Sequence, residues 1–428
     1  RSLGHFRTAE RTLFRGDGMN RAESVVIVGG GIWGLSTAYH LARAGWTDVE
    51  VLERNGALFD ETTSQAAGLV GQIRATPLMR RAIRYAIDLF LNFEKETDHD
   101  PGFHQVGSLL LALTSERMVS FEEHVEHANG SGVKAYFVDG AEMSRLAPHL
   151  DVSRVEGGYF VPEDGYLDPR RCARALCGAA EDLGVRFRTG TAATELSITD
   201  GRVMGVETDD GFVEAEHVVV TAGPWTGIIA EMAGHRTAMV PIRHQRVTTV
   251  PVSGIPDHHP VVRVTDASCY LRPEEGGYLY GFFEPDPTSY DLELSAGFRT
   301  SEIEEPVGVM EEARGRLSPI FPVLEGMGIA AYKRGLTTFA PDGAYLIGPV
   351  PQVEGLFAAT GCAALGIAGS AAVGSWLAGW IARDDPGEDL SSVGLKRFGE
   401  KASDRAWIRR EAEAFYGGYY GIPAMSVT

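Results

Sequence analysis

The sequence predicts a two-part fold, a Rossmann-like α/β dinucleotide-binding domain combined with an α+β substrate domain built on an antiparallel sheet. Three observations carry this. A βαβ pattern with a glycine-rich turn runs from Ser24 to Glu53. Short buried-strand patterns ending in small residues recur at His217–Gly223 and at Leu356–Thr360. From Val240 onward the chain changes to alternating strand-like runs: RVTTVPV, PVVRVTD, CYLRP and GGYLYGFFE. At ~150 residues per domain, 428 residues allow two or three domains and a large core.

The βαβ unit comes first. Residues 24–28 (SVVIV) are too few for a helix and rich in β-branched side chains, so they read as a buried strand. Gly29-Gly30-Gly31-Ile32-Trp33-Gly34 follows, then a helical pattern over Leu35–Arg43, Gly45 as a stop, and a strand at Val49–Leu52 closed by Glu53. Each glycine has a task. Gly29 permits a tight turn, Gly31 lets the backbone approach a pyrophosphate at the positive end of the helix, and Gly34 allows close helix–strand packing. Glu53 can accept hydrogen bonds from ribose hydroxyls. Ile32 and Trp33 at the helix start and Arg54 beside the acid are counted in the same site. The spacing alone does not choose between NAD and FAD. Elements spread over the whole chain fit the longer, extended cofactor better.

The remaining elements extend this plan. Residues 78–96 form an amphipathic helix with Leu78, Ala82, Tyr85, Leu89 and Phe93 on one stripe. The strand HVVVTAG delivers Ala222 and Gly223 to a turn, followed by Trp225. Residues 355–382 are uncharged and long enough to cross a bilayer, but Gly361, Gly366 and Gly369 interrupt them. A buried strand–loop–helix is expected there. The resulting division gives residues 1–21 as a flexible extension or non-native remnant. Residues 22–95, 165–235 and 330–395 form the nucleotide-binding domain, 96–164 and 236–329 the substrate domain, and 396–428 a C-terminal tail.

Composition excludes several classes. A net charge of −19 argues against nucleic acid or an anionic membrane as main partner. Four cysteines are too few for a disulfide framework, and no secretory signal opens the chain, so a reduced cytoplasmic compartment is expected. No HExxH, CxxC or GxSxG pattern occurs, and no metal is expected.

The fingerprint, TTSQAAGLVG (Thr62–Gly71), VVVTAGPW, APDG and GCAALGIAGSAAVG occur together and in order. In these motifs the chain resembles the D-amino-acid oxidase superfamily of FAD enzymes, most of all its sarcosine oxidase and dimethylglycine oxidase/dehydrogenase branch. The resemblance implies an extended FAD bordered by Ala193 near the adenine and by Thr63, Ser64, Gln65, Ala67, Gly68 and Leu69 beside the isoalloxazine. It further implies that the loop Gly361–Ile367, with Leu365 and Gly366, lines the flavin pyrimidine edge. Gln65 stands where relatives often carry a flavin-linking His, so non-covalent FAD is expected.

On the substrate side the resemblance marks His244 and Tyr270 as catalytic, and Arg272, along with Arg246 and Arg74, is a candidate for binding a substrate carboxylate. Ala368 stands where sarcosine oxidases carry a lysine that grips the substrate carboxylate, so sarcosine itself is not the expected substrate. Leu279 stands where they carry a lysine that helps oxygen react, which leaves oxidase and dehydrogenase, hence O2 and an electron-transfer protein as acceptor, both open. The expected reaction is oxidative N-demethylation of a small secondary or tertiary amine or amino acid. With no folate module before Thr428, the one-carbon unit would leave as formaldehyde. Rival readings are oxidation of a primary or cyclic amino acid and an electron-relay subunit of a larger complex. A homo-oligomer is left open.

Overall fold

The strand Val25–Val28 becomes the centre of a six-stranded sheet in the computed structural model, which describes residues 23–291 and 297–421. Its neighbours are His217–Val220 and Val49–Glu53, both parallel. Leu356–Thr360 and Arg186–Thr189 continue the sheet outward, and Leu346–Pro349 closes one edge antiparallel. Strands covered on both faces read as unbroken apolar runs, which is why VVIV and LFAAT are buried throughout. One face carries the helices Ile32–Arg43, Pro169–Asp182 and Ser370–Arg383. A three-stranded meander, Ala193–Thr199, Arg202–Thr208 and Gly211–Glu214, covers the other.

The uncharged stretch resolves into the strand Leu356–Thr360, a loop and the helix Ser370–Arg383, as its glycines imply. Gly374 sits in that helix where a Cβ would lie 2.3 Å from Ser36 Oγ, so the two helices touch backbone to backbone. Among the described residues no helix is long and apolar enough to cross a membrane.

The second sheet has eight strands. From one edge they are Ile329–Phe339, Val240–Thr249, Gly277–Phe282, Cys269–Glu274, Val261–Val264, Ser108–Ala112, Gly157–Val161 and Tyr136–Val138. Two expectations need correction. The sheet is mixed, because Val261–Val264 runs parallel to Ser108–Ala112 where two distant segments of chain meet. Residues 330–339, assigned above to the nucleotide-binding domain, pair along their length with Val240–Thr249 and so belong to this sheet. The APDG turn after Phe339, not residue 330, marks the return to the first domain.

Side chains alternate across this sheet. Val247, Tyr280, Leu271, Val262, Leu109 and Phe160 point into a dry core against the helix Val307–Leu317. The opposite face carries polar groups. In one transverse row Arg246 faces Gly281, Gly281 faces Tyr270, Tyr270 faces Arg263, Arg263 faces Leu110 and Leu110 faces Tyr159. From the C-terminal tail, the helix Arg405–Gly417 packs back on Val240–Thr249 and Ile329–Phe339. Residues 1–21 of the expected extension lie outside the described residues.

Candidate active site

A cavity of about 810 Å³ lies between the two sheets, at the upper end of ordinary ligand pockets. At one end the chain leaves the Val25–Val28 strand through Gly29, whose φ of +112° and 2.7 Å Cβ approach to the Thr221 carbonyl admit no side chain. Gly34 lies behind it, where a Cβ would come within 2.0 Å of the Gly29 carbonyl. It packs the helix and does not line the cavity, whereas Gly31, Ile32 and Trp33 do. The helix Ile32–Arg43 begins at Gly31 without a side-chain cap. Its Ile32 amide donates to Thr63 Oγ1 at 3.1 Å, and Trp33 Nε1 donates to the Gly366 carbonyl at 2.8 Å, tying the helix start to the glycine-rich loop.

Glu53 borders the same end and accepts from the amides of Gly30 (3.0 Å) and Asn55 (2.8 Å). Burial pushes its carboxyl above the usual range, opposed by those two amides. The Arg54 guanidinium lies 3.8 Å over the Trp225 ring. Ala193, Ala222, Gly223 and Trp225 complete this part of the wall.

The segment from Thr63 to Leu69 crosses the middle. Gln65, Ala67, Gly68 and Leu69 line the cavity, while Ser64 is buried beneath them, donating to the Asp60 and Glu61 carbonyls at 3.1 Å each. Two arginines from the large sheet hold this segment by its backbone. Arg246 Nε donates to the Gln65 carbonyl at 3.0 Å and Arg272 Nε to the Ala67 carbonyl at 2.8 Å. Arg272 is therefore not where a substrate carboxylate could reach it. It is 1% exposed, paired with Glu274, stacked on Tyr166 and absent from the cavity wall.

Opposite runs the loop after Leu356–Thr360. Leu365, Gly366 and Ile367 face the cavity, and Gly361, with φ of +69°, turns behind them against Leu346 and Ala344. Ala363 and Ala364 both adopt positive φ, +46° and +58°, a conformation costly for residues with a Cβ. Thr337 and Thr338 enforce it: the Ala363 amide donates to the Thr338 carbonyl (2.8 Å) and the Ala364 amide to Thr337 Oγ1 (2.9 Å). Sequence reasoning weighed the glycines here and had no signal for the alanines.

At the other end the large sheet presents His244 and Tyr270 together. Tyr270 Oη lies 2.9 Å from His244 Nε2, and Tyr416 Oη lies 2.8 Å from His244 Nδ1. Tyr270 reaches the imidazole by lying across Gly281, where a Cβ would sit 2.1 Å from its hydroxyl. Phe283 packs at 4.5 Å from the His244 ring, and Tyr419 stacks on Phe283 at 4.0 Å. Burial pushes the imidazole down to about 3, so it is uncharged, with one nitrogen donating and one accepting. Burial also raises both tyrosine hydroxyls, which stay protonated. Tyr416 was not among the residues marked from sequence, because it reaches His244 from a helix 172 residues further along the chain.

The model of the FAD dependent oxidoreductase family matches residues 24–380. The chain belongs to the FAD-dependent oxidoreductase family. It is 30% identical over 397 residues to 4-methylaminobutanoate oxidase (formaldehyde-forming) of Paenarthrobacter nicotinovorans, covering 93% of this chain and 48% of that protein. It is 31% identical over 410 residues to mitochondrial dimethylglycine dehydrogenase of Rattus norvegicus, with 93% and 47% covered. The chain thus spans about half the length of the curated relatives it matches. The crystal structure of L-proline dehydrogenase from P. horikoshii shares the fold, with a TM-score of 0.80 at 23% identity over 89% of this chain and 98% of that one.

FAD is thus the cofactor of this fold, and the cavity has the donors and gaps such a group requires. A helix start with no capping side chain and the bare backbone at Gly31 suit a diphosphate, and the half-buried Glu53 suits hydroxyl donors. The amides of the loop at Leu365–Ile367 suit a ring edge that gathers negative charge.

Proposed function

We propose that this FAD-dependent oxidoreductase oxidises the C–N bond of a small secondary or tertiary N-methyl amine or amino acid. Hydrolysis of the resulting iminium then gives the demethylated amine and formaldehyde. The observation that carries this is the uncharged, half-buried His244, held between the Tyr270 and Tyr416 hydroxyls on the cavity wall. Oxidation needs the nitrogen lone pair free, and alkylamines in water are mostly protonated. An imidazole held near 3 is a poor proton sink at neutral pH. Its part is to keep this end dry and neutral, so that the amine enters without its proton. Tyr270, fixed by His244 through one hydrogen bond, turns its remaining hydroxyl capacity toward the amine. Bound FAD supplies the two-electron acceptor that takes hydride from the carbon beside nitrogen.

The residues that would hold the cofactor are Gly31, Ile32, Trp33, Glu53, Arg54, Ala193 and the wall from Gln65 to Leu69, with the loop Leu365–Ile367 opposite. Gln65 offers an amide with no nucleophile for a flavin link, so the FAD is held non-covalently and is released by denaturation. Two relatives, 4-methylaminobutanoate oxidase and dimethylglycine dehydrogenase, are each enzymes of an N-methyl compound, which supports the same reaction type.

The test is anaerobic mixing of the FAD-loaded protein with a panel of amines. Bleaching of the flavin band by N-methyl amines, with one formaldehyde per flavin reduced, is the expected result. Ammonia with an oxo acid from primary amino acids would overturn it, as would a flavin band that no amine bleaches. Readmitting air then reports whether O2 serves as acceptor or an electron-transfer protein is needed.

A further inference from the structure

The cavity continues past the His244–Tyr270 pair. Arg263 stands directly opposite Tyr270 on the neighbouring strand, and Tyr159 lies two strands further along the same row. With strands ~4.8 Å apart, Tyr159 is ~14 Å from Tyr270 at the backbone. The Tyr270 side chain leans the other way, over Gly281 toward His244.

This far end is cationic. Arg263 is buried, donates to Ser108 Oγ at 2.8 Å and lies close to the buried Asp164. Arg117 is paired with Asp266 at 2.9 Å. Arg74 donates to the Ile73 carbonyl at 3.2 Å and has no carboxylate in ion-pair contact among the described residues. Three guanidinium groups therefore meet two carboxylates. Three polar atoms on this wall are buried with no hydrogen-bond partner among the described residues: Tyr159 Oη, Arg74 Nε and His124 Nδ1. Tyr159 is 0% exposed, and an unanswered hydroxyl at such a position is rare in native proteins. An excess positive charge beside unsatisfied donors is the chemistry of an anion site.

We infer that this end of the cavity is a carboxylate subsite formed by Arg74, Arg263 and Tyr159, and that the substrate carries its carboxylate several bonds from the N-methyl nitrogen. The inference rests on the amine site proposed above. An N-methyl α-amino acid has one carbon between the two groups and cannot reach both ends. Arg263 lines the cavity only one strand from Tyr270, so the span from the amine to the first guanidinium is a chain of a few methylenes, which selects an ω-(methylamino) acid.

The experiment uses FAD-loaded protein under anaerobic conditions with sarcosine, 3-methylaminopropanoate, 4-methylaminobutanoate, 5-methylaminopentanoate and N-methylbutylamine. Apparent dissociation constants for flavin reduction are expected to be lowest for an intermediate acid and at least tenfold higher for sarcosine and N-methylbutylamine. In Tyr159→Phe, and separately in Arg74→Gln, the preference for the best acid over N-methylbutylamine is expected to fall at least tenfold, with the limiting rate changing less than the dissociation constant. Equal constants for acid and alkylamine, or a best substrate in sarcosine, overturn the subsite while leaving amine oxidation standing. Calorimetry with butanoate alone separates the two readings. Binding that Tyr159→Phe abolishes supports the subsite even if no amine bleaches the flavin, and absent binding, or binding that this variant leaves intact, overturns it.

Discussion

Gly281 offers the sharpest perturbation, because it has no side chain where Tyr270 needs to lie. In Gly281→Ala the new Cβ would stand 2.1 Å from Tyr270 Oη and 2.2 Å from Cζ, where ordinary contact begins near 3.4 Å. The backbone cannot yield, since Gly281 is paired with Arg246 on one side and Tyr270 on the other. The ring must therefore move by about 1.3 Å, which takes the 2.9 Å bond to His244 beyond hydrogen-bonding range. Losing a buried hydrogen bond with its partner left unsatisfied costs ~1–3 kcal/mol. If that bond positions the hydroxyl in the transition state, the limiting rate of flavin reduction falls roughly 5- to 150-fold. The overpacked strand loses about 1–3 kcal/mol of stability, read separately from the thermal midpoint. Adding Tyr270→Phe to Gly281→Ala should cost little more, because the hydroxyl has already been displaced. A Gly281→Ala protein that reduces its flavin at the wild-type rate would refute the positioning argument.

Other outcomes follow from the same geometry. Because burial holds His244 at about 3, the rise of flavin reduction with pH between 6 and 10 should track the substrate amine losing its proton. A rise that stays put for amines of different pKa would contradict this. Stability should respond in the acid range. Burial holds His40 and His244 both near 3 in the folded chain against the ordinary imidazole value of 6.5, so the unfolded chain binds their protons first. Stability is full above 6.5 and falls as pH drops toward 3, by ~1.4 kcal/mol per pH unit for each histidine, as denaturant titrations at several pH values can check. Glu53→Gln replaces one carboxylate acceptor by an NH2 facing an amide. It should weaken FAD binding by about 10- to 100-fold in fluorescence titrations of the apoprotein, and unchanged affinity would remove Glu53 from the cofactor's partners.

The parts of the site written into contiguous residues were legible. Gly29 through Glu53 specify their turn, helix and strand locally, and the period-two runs after Val240 announce a sheet. His244 and Tyr270 were reached through a resemblance, and the structure brings them within hydrogen-bonding distance. What escaped depends on pairing across the fold. Tyr159 and Arg263 are about a hundred residues apart in the chain and become neighbours only through the register of three strands. Tyr416 reaches His244 from a helix at the far end of the chain. Arg272 looked available because its partners, the Ala67 carbonyl and Glu274, are set by tertiary geometry that no local pattern encodes. The shift of residues 330–339 to the large sheet has the same origin.

The position of Val25–Val28 at the middle of its sheet bears on how the polypeptide acquires its shape during synthesis. One flanking strand, Val49–Glu53, leaves the ribosome soon afterwards, but the other, His217–Val220, and the strand beyond it, Leu356–Thr360, arrive roughly two and three hundred residues later. Sequence-distant parallel pairings are slow to close and expose apolar edges meanwhile. The nascent amino-terminal segment therefore carries an unfinished, sticky sheet until Leu356–Thr360 emerges, and recombinant yield should rise with chaperone supply and with lower growth temperature.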